Sequence, residues 1–204
     1  MRFLLRAFLL FVVLGLFGAV VAGGGAVYAL WHYGRNLPDY KQLADYSPPT
    51  VTRVHAGDGR LIAEYAKERR VFVPIGAMPP LVIRAFIAAE DQNFYTHPGV
   101  DFIALARAVV TNVANYASGR RPVGASTITQ QVAKNFLLTN EVSFERKIKE
   151  AILAFRIERA LSKDRILELY LNEIYLGYGS YGVAAAALNY FNKSLDELTT
   201  AEAA

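Results

Sequence analysis

Apolar positions crowd the start of the chain and then settle into periodic patterns. From Ala7 to Trp31 no residue carries a charge, and between Phe3 and Trp31 the one charge is Arg6. About 20 apolar residues in a helix span a ~30 Å hydrocarbon core, so this stretch predicts a membrane-crossing helix. Arg2 and Arg6 on its N-terminal side orient that end toward the cytoplasm. A cleaved leader is the rival, with Val21-Ala22-Gly23 as a small-residue site, but the apolar run continues to Trp31. Gly15, Ala19 and Gly23 share one helix face and suit either close helix packing or plain Gly-rich membrane sequence.

Pro38, Pro48 and Pro49 then mark a linker. Thr50 to Val54 and Arg60 to Tyr65 alternate around Gly57-Asp58-Gly59, which predicts a β-hairpin, and Arg70 to Pro74 reads as a third short strand. From Pro80 the period becomes helical. Ile83, Phe86 and Ile87 recur at i, i+3, i+4, placing a helix from about Leu81 to Glu90 and Asp91. Ser143 is a plausible N-cap for a helix to about Leu161, with Phe144, Ile148, Ala151, Ile152 and Phe155 as its buried stripe and Glu150 on another face. A third helix follows Ser162 and stops at Gly177, and an Ala-rich fourth runs from Val183 to Phe191.

Composition adds limits. Of 204 residues, 53% are apolar and 20% charged, enough for one domain with a real core besides the N-terminal segment. The net charge of +4 admits anionic partners such as phospholipid, pyrophosphate or nucleic acid. There is no cysteine, so disulfides and thiolate metal sites are excluded.

Two groups of residues draw attention on chemistry. Glu90 and Asp91 lie at the C-terminal end of a helix, where carboxylates oppose the macrodipole. Their presence there favours function over an exposed acidic pair. Arg146 and Lys147 stand four and three residues before Glu150, within side-chain reach. As a surface salt bridge this triplet contributes only ~0.3–0.5 kcal/mol. The alternative is a pocket where two cations and a carboxylate converge on a ligand.

Glu90-Asp91-Gln92-Asn93-Phe94-Tyr95-Thr96-His97-Pro98-Gly99-Val100-Asp101 resembles the first signature of the peptidoglycan glycosyltransferases. Gly124-Ala125-Ser126-Thr127-Ile128-Thr129-Gln130-Gln131 with Lys134-Asn135 resembles the second, and Arg146-Lys147-Ile148-Lys149-Glu150 the third. Lys163 to Asn172 is similar to the fourth, and Gly182 to Phe191 to the fifth. Five blocks in the right order over roughly residues 80–195 make a specific match. The hairpin region before them resembles bifunctional class A penicillin-binding proteins. The family's catalytic domain continues past Ala204, so the resemblance implies an incomplete domain, and Val142 stands where many relatives have an Arg.

The resemblance implies a mainly α architecture: a lysozyme-like glycosyltransferase domain (80–204) preceded by one transmembrane helix (1–34) and a linker with a short β-hairpin region (35–79). It implies lipid II and the growing glycan strand as substrates, inversion at the sugar, and undecaprenyl pyrophosphate as leaving group. By motif match Glu90 is the general base, supported by Asp91, and such a base supplies ~10²–10⁴ in rate. Lys134, Arg146 and Lys147 would stabilise the pyrophosphate. Glu150 would orient them or help hold a divalent cation, Mg²⁺ or Mn²⁺; no other cofactor is required. Ser126, Thr127, Gln130, Gln131 and Asn135 would contact sugar and phosphate. His97, Glu168 and Asn172 read as structural, and Lys163 and Arg165 as a solvated helix start. Phe102 to Leu105 with Val109, Val110 and Val113 suits either the membrane interface or a core. The implied setting is the bacterial inner membrane with the catalytic domain outside the cytoplasm, beside other cell-wall synthesis proteins and away from nucleic acid. Two alternatives stay open: a lysozyme-like glycan hydrolase, and an inactive membrane-bound fragment.

Overall fold

A computed structural model describes residues 2–46, 52–65, 69–139, 141 and 143–204. Pro48, Pro49, Thr50, Val51 and Val142, named above, lie outside the described residues. Helix α1 (Arg2–Gly34) runs unbroken through Gly23, Gly24 and Gly25. Among the described residues it is the one helix long and apolar enough to cross a membrane, over Phe8–Gly34. Its end docks on the rest of the chain, where the Arg156 guanidinium donates to the Gly34 carbonyl at 3.1 Å. Arg35 lies over the Trp31 ring at 4.2 Å, a cation–π contact at the helix exit.

Asp39 caps a 3₁₀ turn at Tyr40–Leu43, and Leu43 is buried in the core. Strands β1 (Thr52–His55) and β2 (Leu61–Tyr65) form the expected antiparallel hairpin, Thr52 facing Tyr65. The third strand departs from expectation. β3 is two residues, Arg69–Arg70, and pairs in parallel with β4 (Ser180–Tyr181), more than a hundred residues downstream. Local alternation carries no information about so distant a partner.

Helices α2 (Pro80–Glu90), α3 (Phe102–Ala117), α4 (Ile128–Leu137), α5 (Phe144–Ala160), α6 (Lys163–Glu173) and α7 (Val183–Phe191) make the body, with a short α8 (Thr200–Ala203). The ends of α5 follow the sequence reading, since Ser143 caps it by accepting from the Arg146 N–H at 3.1 Å. Helix α6 stops at Glu173, short of Gly177. Helix α4 sits centrally, packed on α5 and α6. Its Ile128, Val132 and Ala133 meet Leu153, Ile157, Ile166, Leu167 and Leu171 in one cluster. Burying a Leu or Ile side chain contributes about 1.5–3 kcal/mol, so this cluster fixes the three helices relative to one another. Gly182, at φ +81°, ends the loop before α7, and a Cβ there would meet the Asn172 carbonyl oxygen at 2.7 Å.

The buried face of α5 is only partly the predicted one: Ile152 is buried as expected, but the face is centred elsewhere. Glu150, Leu153, Ala154 and Ile157 point inward at i, i+3, i+4, i+7, while Phe144 is 82% exposed. An apolar count put Glu150 outside; two flanking cations allow it inside. Lys163 and Arg165 are also not solvated. The Lys163 ammonium donates to the His97 carbonyl at 2.8 Å and to Glu158 at 2.7 Å, and sits 4.6 Å over the Phe94 ring. The Arg165 guanidinium donates to the carbonyls of Leu43, Ala44 and Tyr46 and pairs with Glu168. Glu168 accepts the Ile75 N–H, and Asn172 bonds both the N–H and the carbonyl of Val73. One face of α6 thus clamps the linker, and Glu168 and Asn172 are structural as expected.

Candidate active site

The carboxylate pair at the end of α2 separates at the cap. Glu90 is exposed, and its Oε2 accepts from the Gln131 side-chain amide at 2.8 Å. Asp91 turns inward and is 6% exposed. Its Oδ2 accepts the Ile128 N–H at 2.9 Å, and the His97 Nε2 lies 2.9 and 3.0 Å from its two oxygens. His97 Nδ1 accepts the Gly99 N–H at 3.0 Å, which places the ring proton on Nε2, facing Asp91. Asp91 therefore loses at the C-terminus of α2 but gains at the N-terminus of α4, where the macrodipole favours an anion. The sequence argument from an unfavourable helix end holds for Glu90 alone.

Asp91, expected to support Glu90, is buried, and two residues expected to touch substrate are committed inside the protein as well. Thr127 and Gln130 form a reciprocal capping box on α4. The Thr127 hydroxyl also donates to the Gly99 carbonyl at 2.6 Å, and both side chains are buried. Capping and burial tie Thr127 and Gln130 to the start of α4, a correction to their expected role, and Asp91 bonds the same helix start.

Beyond α4 lies the second cluster. Glu150 is 1% exposed. Its Oε1 accepts from the Arg146 guanidinium, and its Oε2 accepts from the Lys147 ammonium at 2.6 Å. Lys147 also donates to the Ser126 hydroxyl at 2.8 Å. A buried carboxylate without such donors would be strongly unfavourable. Burial pushes the Lys147 ammonium below the usual lysine value, and the charges of Arg146 and Lys134 add to this. The Lys147 side chain remains 46% exposed, so its charge is open to a ligand.

Lys134 belongs to the same electrostatic group. With Gln131 and Asn135 it lines a cleft of about 450 Å³, whose other side is Glu173, Ile174, Tyr175 and Tyr181. Because Gln131 also holds Glu90, this cleft lies between the exposed carboxylate and Lys134. Tyr170 lies within the core and packs edge-on against Phe86, with ring centroids 6.2 Å apart. Burial raises its phenol well above the usual range, and the charge of Glu90 adds to the rise.

The residues present do not fit a protein-held divalent cation. Among the described residues no three His, Cys, Asp or Glu side chains gather, and both oxygens of Glu150 face cations. The arrangement can take a proton at Glu90 and hold a multiply charged anion against Lys134, Arg146 and Lys147. Sequence reading missed the far wall of the cleft. Its signal was available in the aromatic residues Tyr175, Tyr178 and Tyr181 placed among glycines.

The Transglycosylase family model matches residues 58–204. The chain is 60% identical over 197 residues to penicillin-binding protein 1A of Rickettsia felis, covering 96% of this chain and 25% of that protein. It is 49% identical over 186 residues to penicillin-binding protein 1A of Escherichia coli, covering 91% and 22%. It is 48% identical over 194 residues to the protein of that name from Aquifex aeolicus, covering 94% and 26%. The chain spans about a quarter of the length of these curated relatives.

Proposed function

Because the chain belongs to the transglycosylase family, we propose that it polymerises lipid II into peptidoglycan glycan strands. Glu90 removes the proton from the 4-hydroxyl of an acceptor sugar. The freed oxygen attacks C1 of the growing strand's terminal sugar, the anomeric centre inverts, and undecaprenyl pyrophosphate leaves. A single observation carries this reading: an exposed carboxylate is bonded to Gln131 of α4, and near that helix two cations share one buried carboxylate while a third, Lys134, acts electrostatically on one of them. The surplus positive charge suits a pyrophosphate leaving group, whose charge grows in the transition state.

Arg146 suits paired contact to phosphate oxygens, while Lys134 and Lys147 act as point charges. Glu150 serves as their orienting group. Ser126, Gln131 and Asn135 remain placed to contact sugar or phosphate.

The hydrolase alternative needs two carboxylates that act on the sugar. Glu150 is buried with both oxygens bonded to cations, which speaks for transfer. Helix α1 anchors the chain with its N-terminus inside, and the exposed apolar side chains of α3 rest on the outer leaflet, where lipid-bound substrate is concentrated. Other cell-wall synthesis proteins act beside it on the same strand.

The test is product analysis with the chain in detergent micelles. Polymer from lipid II, and no fragments from finished glycan, is the expected result. Fragments released from finished glycan would overturn the reading in favour of a hydrolase.

A further inference from the structure

The far wall of the cleft has little regular secondary structure of its own. Between the end of α6 and the start of α7 the chain forms one isolated bridge, Tyr175 to Tyr181, and the two-residue β4. Its turn passes through Gly177, Tyr178 and Gly179, all at positive φ. The tip is closed by the Leu176 N–H on the Ser180 carbonyl and the Ser180 N–H on the Gly177 carbonyl, with Asn189 and Tyr190 of α7 adding bonds, while Glu173 and Tyr181 meet a second neighbour.

That neighbour is the segment before the catalytic helices. Arg70 pairs with Tyr181 in the parallel β3–β4 ladder. Its side chain is 9% exposed and forms an ion pair with Glu173. Its guanidinium carbon lies 4.9 Å from the centroid of the Tyr181 ring. The Tyr46 hydroxyl, also from the linker, donates to the same Glu173 carboxylate at 3.3 Å. Glu173 and Tyr181 both line the cleft that contains Lys134 and Gln131. Arg70 therefore touches Glu173 and Tyr181 without itself lining the cleft, while Glu90 and Glu150 are held by other partners.

We infer that Arg70 is a positioning residue for substrate binding: it braces Glu173 and Tyr181 so that the cleft beside Lys134 keeps the shape a glycan substrate requires. This rests on the proposed polymerisation of lipid II for its kinetic consequence, but not for its structural one. An arginine is suited to the task, since its planar group can stack on a ring and pair with a carboxylate at once, while a lysine keeps only the charge.

The experiment compares wild type, Arg70→Gln and Arg70→Lys in detergent by two readouts. The first is hydrogen exchange of the 174–182 amides against those of α5. The second is lipid II polymerisation resolved into KM and kcat. The expected result for Arg70→Gln is faster exchange confined to 174–182, a KM raised about tenfold, and kcat within about threefold, as for loss of one buried charged contact. Arg70→Lys is expected between the two. Unchanged exchange at 174–182 overturns the inference, as does exchange that rises equally throughout the domain, which would make Arg70 a fold contact only. A normal KM, or a loss in kcat in its place, also overturns it. If wild type makes no polymer, the polymerisation reading falls and the exchange pattern alone decides the role of Arg70.

Discussion

Helices α3 and α5 are nearly equal in length, 16 and 17 residues, and they invert the usual rule of burial. Helix α5 hides a carboxylate, Glu150, at 1% exposure. Helix α3 buries one residue, Ala108, and leaves Ile103, Val109, Val110 and Val113 more than half exposed. The two cases teach that hydropathy alone does not select a face. A charge goes inside when cations meet both of its oxygens. An apolar face stays outside when its solvent is not water, which is the part α3 has in the proposed membrane contact.

The largest effect expected from this comparison is at Glu150. Glu150→Ala leaves Arg146 and Lys147 without their carboxylate, and removing one member of a buried pair costs about 3–5 kcal/mol. The lower end is expected, because Lys147 is half in solvent. Urea unfolding in detergent checks the loss. A change below about 0.5 kcal/mol, the range of ordinary surface substitutions, would break the contrast between the two helices.

On α3 a smaller, environmental effect is expected. The chain has no cysteine, so Val110→Cys and Asp58→Cys each accept a single environment-sensitive fluorophore. On transfer from detergent to vesicles the label at 110 should keep an apolar emission, and the label at 58 in the exposed hairpin turn an aqueous one. Equal aqueous emission at both positions would remove α3 from the bilayer surface. Val110→Asp should shift stability in detergent by less than about 0.5 kcal/mol, since Val110 is 72% exposed.

The smallest effect concerns pH. Burial holds the Lys147 ammonium below the usual lysine value, so its positive charge is present at low pH and lost earlier than usual as pH rises. The alkaline limb of kcat/KM should follow that loss. Arginine stays charged throughout, so Lys147→Arg should move the limb to higher pH. An unmoved limb would separate Lys147 from the anion site.

The sequence made much of this legible. The N-cap Ser143, the Asp-Gly turn and the 3.6-residue period before Glu90 are local signals, and the elements they mark stand close to where they were placed. What failed was non-local. β3 finds its partner at Ser180–Tyr181, Arg165 reaches the carbonyls of Leu43, Ala44 and Tyr46, and Asp91 accepts from the first N–H of a helix that begins at Ile128. None of these pairings leaves a periodic trace. At the site, motif resemblance brought Glu90, Gln131, Lys134, Arg146, Lys147 and Glu150 to notice. It could not separate the side chains that face the cleft from those that hold its frame, such as Thr127 and Gln130, because a block match carries no burial. Arg70 had no signal, since its importance comes from a contact with Glu173 and Tyr181 across the fold.

The central claim is that Glu90 takes the proton from the attacking hydroxyl. The direct measurement is single-turnover polymerisation of lipid II by wild type and Glu90→Gln, with substrate binding measured in parallel. Glutamine keeps the shape and a partner for Gln131 but cannot accept the proton. The account predicts a rate lower by about 10²–10⁴ with binding little changed. Polymer formed by Glu90→Gln at the wild-type rate would contradict it.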